Sequence, residues 1–264
     1  MNLSPELPDY ALDTITHFIS DFVGDGKVVV GLSGGLDSAV VLKLCAMSLG
    51  PERVLAVHMP DSVTPEEESE DARNVAKEAE VEFREIRIDD AVETIADMAA
   101  LESSGAVANL KARVRMSVLF GIANQESRLV AGTSNKSELL TGYFTKYGDG
   151  ASDFAPIGDL YKTQVRALAE KIGIPERILK KAPSANLLPG QTDEAELGVD
   201  YDTLDEVLHG IELNLTPAEI MEIGEFDEAL VSKIYALYLK SRHKRVLLYV
   251  PKLGVRTVNT DWRE

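Results

Sequence analysis

Residues 27–49 constrain the fold more than any other stretch of the chain. An apolar β-branched run, Val28-Val29-Val30, ends in Gly31-Leu32-Ser33-Gly34-Gly35 and passes directly into an apolar pattern over residues 36–49. A continuous apolar run of this length suits a strand buried on both faces, the kind found in parallel sheets covered by helices. The alternation then repeats. Spacing predicts strands at 27–32, 53–59, 83–88 and 128–131. Helices are predicted at 6–22, 36–49, 65–79, 91–101, 107–124, from about Asn135, at 161–172 and at 227–242. On the first of these, Leu12, Ile15, Phe18, Ile19 and Phe22 share a face. The expected fold is α/β, a doubly wound parallel sheet flanked by helices with right-handed crossovers. The 264 residues read as a single domain.

Composition narrows the partners. The chain is 45% hydrophobic, enough to build a core. No apolar run approaches the ~20 residues that span a bilayer, and the amino end lacks a signal-peptide pattern. One cysteine, Cys45, rules out an intrachain disulfide and a cysteine metal cage. A soluble, cytoplasmic protein is expected, with no membrane partner. The net charge of −17 argues against nucleic acid. Yet residues 103–166 carry eight Lys and Arg against five Asp and Glu, a basic middle suited to an anionic small molecule. The acidic blocks at 61–85 and 191–230 read as solvated helix faces and loops. His17, His58 and His209 read as packing or surface residues, Cys45 as core, Arg115 as a surface or interface cation and Trp262 as a tail aromatic.

The glycine turn after the first strand has the makings of an anion site. Glycines let backbone N–H groups approach a ligand, a helix N-terminus adds its dipole, and the hydroxyls of Ser33 and Ser38 are further donors. Asp37 would repel a phosphate unless a divalent cation stood between them. A second turn, Gly132-Thr133-Ser134-Asn135-Lys136-Ser137-Glu138, follows the fourth strand and leaves the same sheet edge. Glu138 can therefore face the same cavity as Asp37, and Thr133 can meet a nucleotide. The loop at 142–153 mixes glycines, aromatics, one lysine and two acids, which suits a ligand loop better than a connector.

Ser33-Gly34-Gly35-Leu36-Asp37-Ser38 resembles the pyrophosphate loop of the N-type ATP pyrophosphatases, enzymes of adenine nucleotide alpha-hydrolase-like fold. The motif Gly132-Thr133-Ser134-Asn135-Lys136-Ser137-Glu138, followed by Thr145-Lys146-Tyr147-Gly148-Asp149-Gly150, is similar to NAD synthetase. So are Lys111-Ala112-Arg113-Val114-Arg115-Met116, Pro183-Ser184-Ala185, Gly190-Gln191-Thr192-Asp193-Glu194 and His243-Lys244-Arg245. The resemblance implies that Gly31, Leu32, Ser33, Gly34, Gly35, Leu36, Asp37 and Ser38 bind ATP phosphates. It implies that Asp37 and Glu138 ligate magnesium and that Thr133, Lys162 and Ser184 contact ATP. The family usually has Thr where Ser184 stands. Arg113, Lys146, Asp153, His243 and Lys244 would bind deamido-NAD. Asp149, handling ammonia, and Lys162 are the catalytic candidates.

The implied reaction is ATP-dependent amidation of deamido-NAD with ammonia, through an adenylated carboxylate, yielding NAD, AMP and pyrophosphate. A tRNA-modifying ligase of the same superfamily would need a basic RNA surface, and for thiolation paired cysteines. A non-catalytic nucleotide sensor would need neither a carboxylate pair nor the 142–153 loop. Free ammonia is expected rather than glutamine: neither the thirty residues before Gly31 nor the short stretch after Arg245 could hold a glutaminase domain. A homodimer is implied by the resemblance and agrees with a 107–124 helix apolar on most sides.

Overall fold

Val28, Val29 and Val30 expose no surface, as a strand covered on both faces requires. The computed structural model describes residues 2–184, 192–246 and 249–257. Its first half runs α1 (Ala11–Val23), β1 (Lys27–Gly31), α2 (Leu36–Leu49), β2 (Val54–His58), α3 (Glu66–Glu78), β3 (Glu82–Glu85), α4 (Asp89–Met98), α5 (Ser104–Glu126) and β4 (Arg128–Ala131). The remainder is helical: α6 (Lys136–Thr141), α7 (Lys162–Lys171), α8 (Glu176–Leu179), α9 (Asp193–Leu197), α10 (Tyr201–Glu212), α11 (Pro217–Gly224), α12 (Glu228–Lys240) and α13 (Arg242–Arg245).

All strand pairs are parallel and the order is β3-β2-β1-β4. Side chains alternate between the two faces, as strand geometry dictates. Val28 and Val30 of β1, with Val54 and Ala56 of β2, pack against Ile19 of α1, Leu42 of α2 and Leu168 of α7. Val29, Leu55 and Val57 pack against Val92 of α4 and Val114 of α5. A third apolar cluster joins α10, α11 and α12 through Leu204, Leu208, Ile220 and Ile234, and holds Tyr161 at its edge. No helix among the described residues is long and apolar enough to cross a membrane.

Four sequence expectations need correction. The first helix begins at Ala11, because Pro8 keeps the residue before it out of helical geometry. Its buried stripe is Ala11, Ile15, Ile19 and Val23, while Phe18 and Phe22 are 43% and 48% exposed and lie against the ring of Phe154. The third strand ends at Glu85, where its partner β2 ends at His58, although single bonds from Ile86 to His58 and from Ile88 to Pro60 prolong the alignment. The acidic blocks are not wholly solvated: Asp61, Asp71, Asp193 and Asp205 are buried. Cys45 lies in the core as expected, and burial pushes its thiol up to about 12.

Candidate active site

From β1 the chain builds β2 and β3 on one side, then returns to place β4 on the other. Strand order thus reverses between β1 and β4, and the crevice beyond their carboxyl ends is where open α/β sheets bind ligands. Both glycine turns leave the sheet there. They line a cavity of about 270 Å³.

Gly34 has a φ of +88°, and a Cβ on it would fall 2.3 Å from the carbonyl oxygen of Glu68 on α3. Only glycine fits this left-handed, closely packed position. Gly34 therefore backs onto α3, while Gly31, Leu32, Ser33, Gly35, Leu36, Asp37 and Ser38 face the cavity. The serine hydroxyls also bond within the turn. Ser38 Oγ donates to Gly35 O at 3.0 Å and receives the Ser33 N–H at 3.2 Å, and the two hydroxyls lie 3.1 Å apart. These bonds hold the turn closed while both serines line the cavity. The N-cap of α2, Gly35, brings no side-chain cap, so the first amides of the helix turn toward the cavity.

Across the crevice, Asn135 caps α6. Its Oδ1 accepts the Glu138 N–H at 3.0 Å, and Glu138 Oε2 accepts the Asn135 N–H at 3.2 Å, a capping box. Asn135 Nδ2 also donates to Asp37 Oδ1 at 3.3 Å, tying the two turns together. Lys162, at the start of α7 and 3% exposed, forms an ion pair with Asp37 and lies 5.4 Å from the Tyr201 ring centroid. Asp37, Glu138 and Lys162 are thus brought into one site from three elements.

Burial and the neighbouring Asp37 charge raise the Glu138 carboxyl well above its ordinary value. Burial alone would discharge Lys162, but Asp37 and Glu138 together hold its ammonium above the usual range. Thr133 and Ser184 line the same cavity. Asp149 lies at its rim, its side chain exposed but part of its water replaced by the surrounding loop. That loss of water raises its carboxyl, although the Thr145 N–H donates to it at 2.9 Å.

The residues that the resemblance assigns to deamido-NAD do not line this cavity; Arg113, Lys146 and His243 are linked to one another, Lys244 holds the 142–144 backbone, and Asp153 stands apart beside β4. Arg113 Nη2 donates to Lys146 O at 3.4 Å, and Lys146 Nζ donates to His243 O at 2.8 Å. Lys244 Nζ donates to the carbonyls of Gly142 and Phe144, both at 2.6 Å. The Asp153 carboxylate accepts the Val130 N–H at 2.7 Å, where the chain runs alongside β4. Ala185, Gly190, Gln191 and Trp262 lie outside the described residues.

Sequence reasoning missed several groups at the cavity. Arg115 is not a surface cation: its guanidinium is largely buried, donating to Met59 O at 2.9 Å and pairing with buried Asp61 at 3.3 Å. Asp193, to which the sequence assigned no role, is 4% exposed and accepts the Tyr201 hydroxyl at 3.1 Å, while its Oδ1 is buried with no hydrogen-bond partner among the described residues. His58 is a buried packing residue as expected, yet it also supports the phosphate loop. Its Nδ1 donates to Leu32 O at 2.8 Å, which leaves Nε2 to accept the Ser69 hydroxyl at 3.0 Å; burial lowers its pKa. Asn135 had a readable signal, because Asn followed three residues later by Glu is a capping-box pattern.

A sequence model of the NAD synthase family matches residues 11–247. The NH(3)-dependent NAD(+) synthetase of Archaeoglobus fulgidus is 49% identical over 239 residues, which cover 89% of this chain and 93% of that protein. Among solved structures, the NMN synthetase of Francisella tularensis matches with a TM-score of 0.81 at 33% identity, covering 93% of this chain and 99% of that one. The NH3-dependent NAD synthetase of Campylobacter jejuni, in complex with the nitrate ion, matches with a TM-score of 0.78 at 31% identity, covering 92% and 97%. A parallel sheet with the adenine nucleotide alpha-hydrolase-like arrangement, two glycine turns meeting at its switch point and a match over nearly the whole length lead to one assignment: the chain belongs to the NAD synthase family.

Proposed function

We propose that this chain makes NAD from deamido-NAD, ATP and ammonia. The observation that carries the assignment is the meeting of Asp37, Lys162 and Glu138 beside the first turn of α2. A phosphate cradle alone suits many nucleotide binders, whereas a paired carboxylate set with a buried lysine suits displacement at a nucleotide phosphorus. The names of the similar proteins select the acceptor.

No group of three or more His, Cys, Asp or Glu side chains among the described residues is arranged to hold a metal unaided. Magnesium, however, is commonly held by one or two carboxylates together with substrate phosphates. Asp37 and Glu138 fit that donor set, and the unpartnered Asp193 Oδ1 adds to the excess of negative charge around Lys162. When bound, magnesium would neutralise charge on the phosphates.

In the first half-reaction the Ser33–Ser38 turn and the amides of α2 hold ATP while an oxygen of the nicotinate carboxylate attacks Pα. The Pα–O bond to the β-phosphate breaks, and pyrophosphate leaves with both electrons of that bond. Lys162 lies where it can stabilise the departing charge. In the second half-reaction ammonia adds to the carbonyl carbon of the mixed anhydride and AMP departs with the bridging oxygen. Asp149, at the cavity rim, accepts the proton that nitrogen gives up. Cys45 cannot release ammonia from glutamine, being buried with a thiol pushed up to about 12.

Arg113, Lys146, Asp153, His243 and Lys244 form the deamido-NAD surface beside the nucleotide cavity, and a second copy of the chain completes it. Half-buried Val118, Phe120 and Ile122 on α5 support such a dimer. The test supplies ATP, magnesium and ammonium with either deamido-NAD or nicotinate mononucleotide. NAD, AMP and pyrophosphate in equal amounts, with deamido-NAD the better acceptor by kcat/KM, are expected. Preference for the mononucleotide, or ATP turnover without amide, would overturn the assignment.

A further inference from the structure

Asp205, on α10, has no exposed surface and stands in a block that composition marks as solvated. A buried carboxylate is costly unless donors meet it. Thr163 supplies two, its N–H and its hydroxyl, each 2.9 Å from Asp205 Oδ2. The Ser137 hydroxyl donates to Asp205 Oδ1, and the same hydroxyl accepts the Lys162 N–H at 2.9 Å.

These bonds fall at two helix starts. α7 begins at Lys162; Gln164 Oε1 accepts the N–H of Tyr161 before it at 2.9 Å, but the Tyr161 hydroxyl donates to Glu212, so neither meets the amides of Lys162 and Thr163. The orphan amides of its first turn are instead met from outside, the first by Ser137 and the second by Asp205. A negative charge there is also favoured by the helix dipole. Ser137 lies in the first turn of α6, immediately before Glu138. One carboxylate thus grips the backbone that presents Lys162 and the residue next to Glu138, from a helix whose apolar side chains, among them Leu204 and Leu208, pack away from the sheet.

We infer that Asp205 is a positioning residue: reaching from α10 through Ser137 and the first turn of α7, it sets Lys162 and Glu138 in the arrangement that adenylyl transfer needs. The inference rests on the roles given to Lys162 and Glu138 under the proposed function. A local cap at position 161 would satisfy α7 equally well, but it would not couple α7 to α6.

The test measures steady-state NAD formation by the purified full chain, normalised to folded protein by circular dichroism. The variants are Asp205→Ala, Asp205→Asn and Ser137→Ala, with Lys162→Met and Glu138→Gln as references. Asp205→Ala and Ser137→Ala should each lower kcat by about tenfold or more, since small misplacements of reacting groups are expensive. KM for ATP should stay within about threefold, because the Ser33–Ser38 turn is untouched. Asp205→Asn should recover most of the turnover, as its amide can still accept from Thr163 and donate to Ser137. The double variant Asp205→Ala/Ser137→Ala should be no worse than the weaker single, the mark of one coupled unit. Should Asp205→Ala fail to fold, Ser137→Ala and Asp205→Asn still decide. Normal kcat per folded molecule in Ser137→Ala, or losses in the two singles that simply multiply, would overturn the inference. If the reference variants also keep normal turnover, the assignment of Lys162 and Glu138 fails instead, which is a separate result.

Discussion

Lys162 keeps its ammonium where burial opposes charge, because Asp37 and Glu138 flank it. The balance makes the three groups interdependent. Lys162→Met leaves Asp37 and Glu138 without their shared cation, the one proposed to stabilise the leaving group. Turnover should fall by roughly 10²–10³, measured as NAD formed per folded enzyme; a loss of less than tenfold would remove Lys162 from the chemistry. Asp149 makes a different prediction. Its carboxyl is raised above the ordinary 3.8 chiefly by enclosure. A base must be ionised to take a proton, so activity is present above the raised value and lost as pH falls through it. With free ammonia held constant, the acid limb of kcat should lie above the usual carboxylate range and vanish, with most of the rate, in Asp149→Asn. An unchanged limb in that variant would assign the proton to another group.

Among the elements, the turn after β1 carries the sharpest steric demand. Gly34→Ala meets both a left-handed backbone and the Glu68 carbonyl, and should cost well over about 1 kcal/mol of stability. Gly35→Ala meets only Ser33 Oγ at 3.3 Å and should leave stability nearly unchanged while raising KM for ATP. Thermal melts of the pair check the contrast; equal melting temperatures would contradict it. This turn was legible in the sequence because its signals are local: a valine run, then glycines, then a helix start. The α1 face was not, since Leu12, Phe18 and Phe22 satisfy a helical period as well as Ala11 and Val23 do. The choice was made by the neighbouring α2 and by Phe154, far along the chain. Nor could periodicity place Asp205, because an acid on an amphipathic helix reads as solvated until its partners on α6 and α7 are known.

Over the whole molecule, buried charge ties the loop after β2 to α5 beside the cavity. Asp61, after β2, accepts from Val63 N and Thr64 N and pairs with Lys111 at 2.9 Å and Arg115 at 3.3 Å, both on α5. Burial alone would raise its carboxyl, but the Lys111 bond and the Arg115 charge win and hold it below 3.8. Its stabilisation is therefore present above the ordinary value and lost as pH falls through the lower folded one. Asp61→Asn should cost on the order of 3 kcal/mol at neutral pH and flatten the decline of melting temperature below about pH 4; parallel melting curves would refute the pairing. The central claim concerns chemistry that these elements converge to support, an adenylated carboxylate between ATP and the amide. Its most direct test follows the substrate oxygen: deamido-NAD labelled with ¹⁸O in both carboxylate positions is turned over with ATP, magnesium and ammonium, and the products are weighed by mass spectrometry. One label in AMP and one in the NAD amide is the predicted result, whereas ADP with labelled inorganic phosphate, or AMP without label, would contradict it.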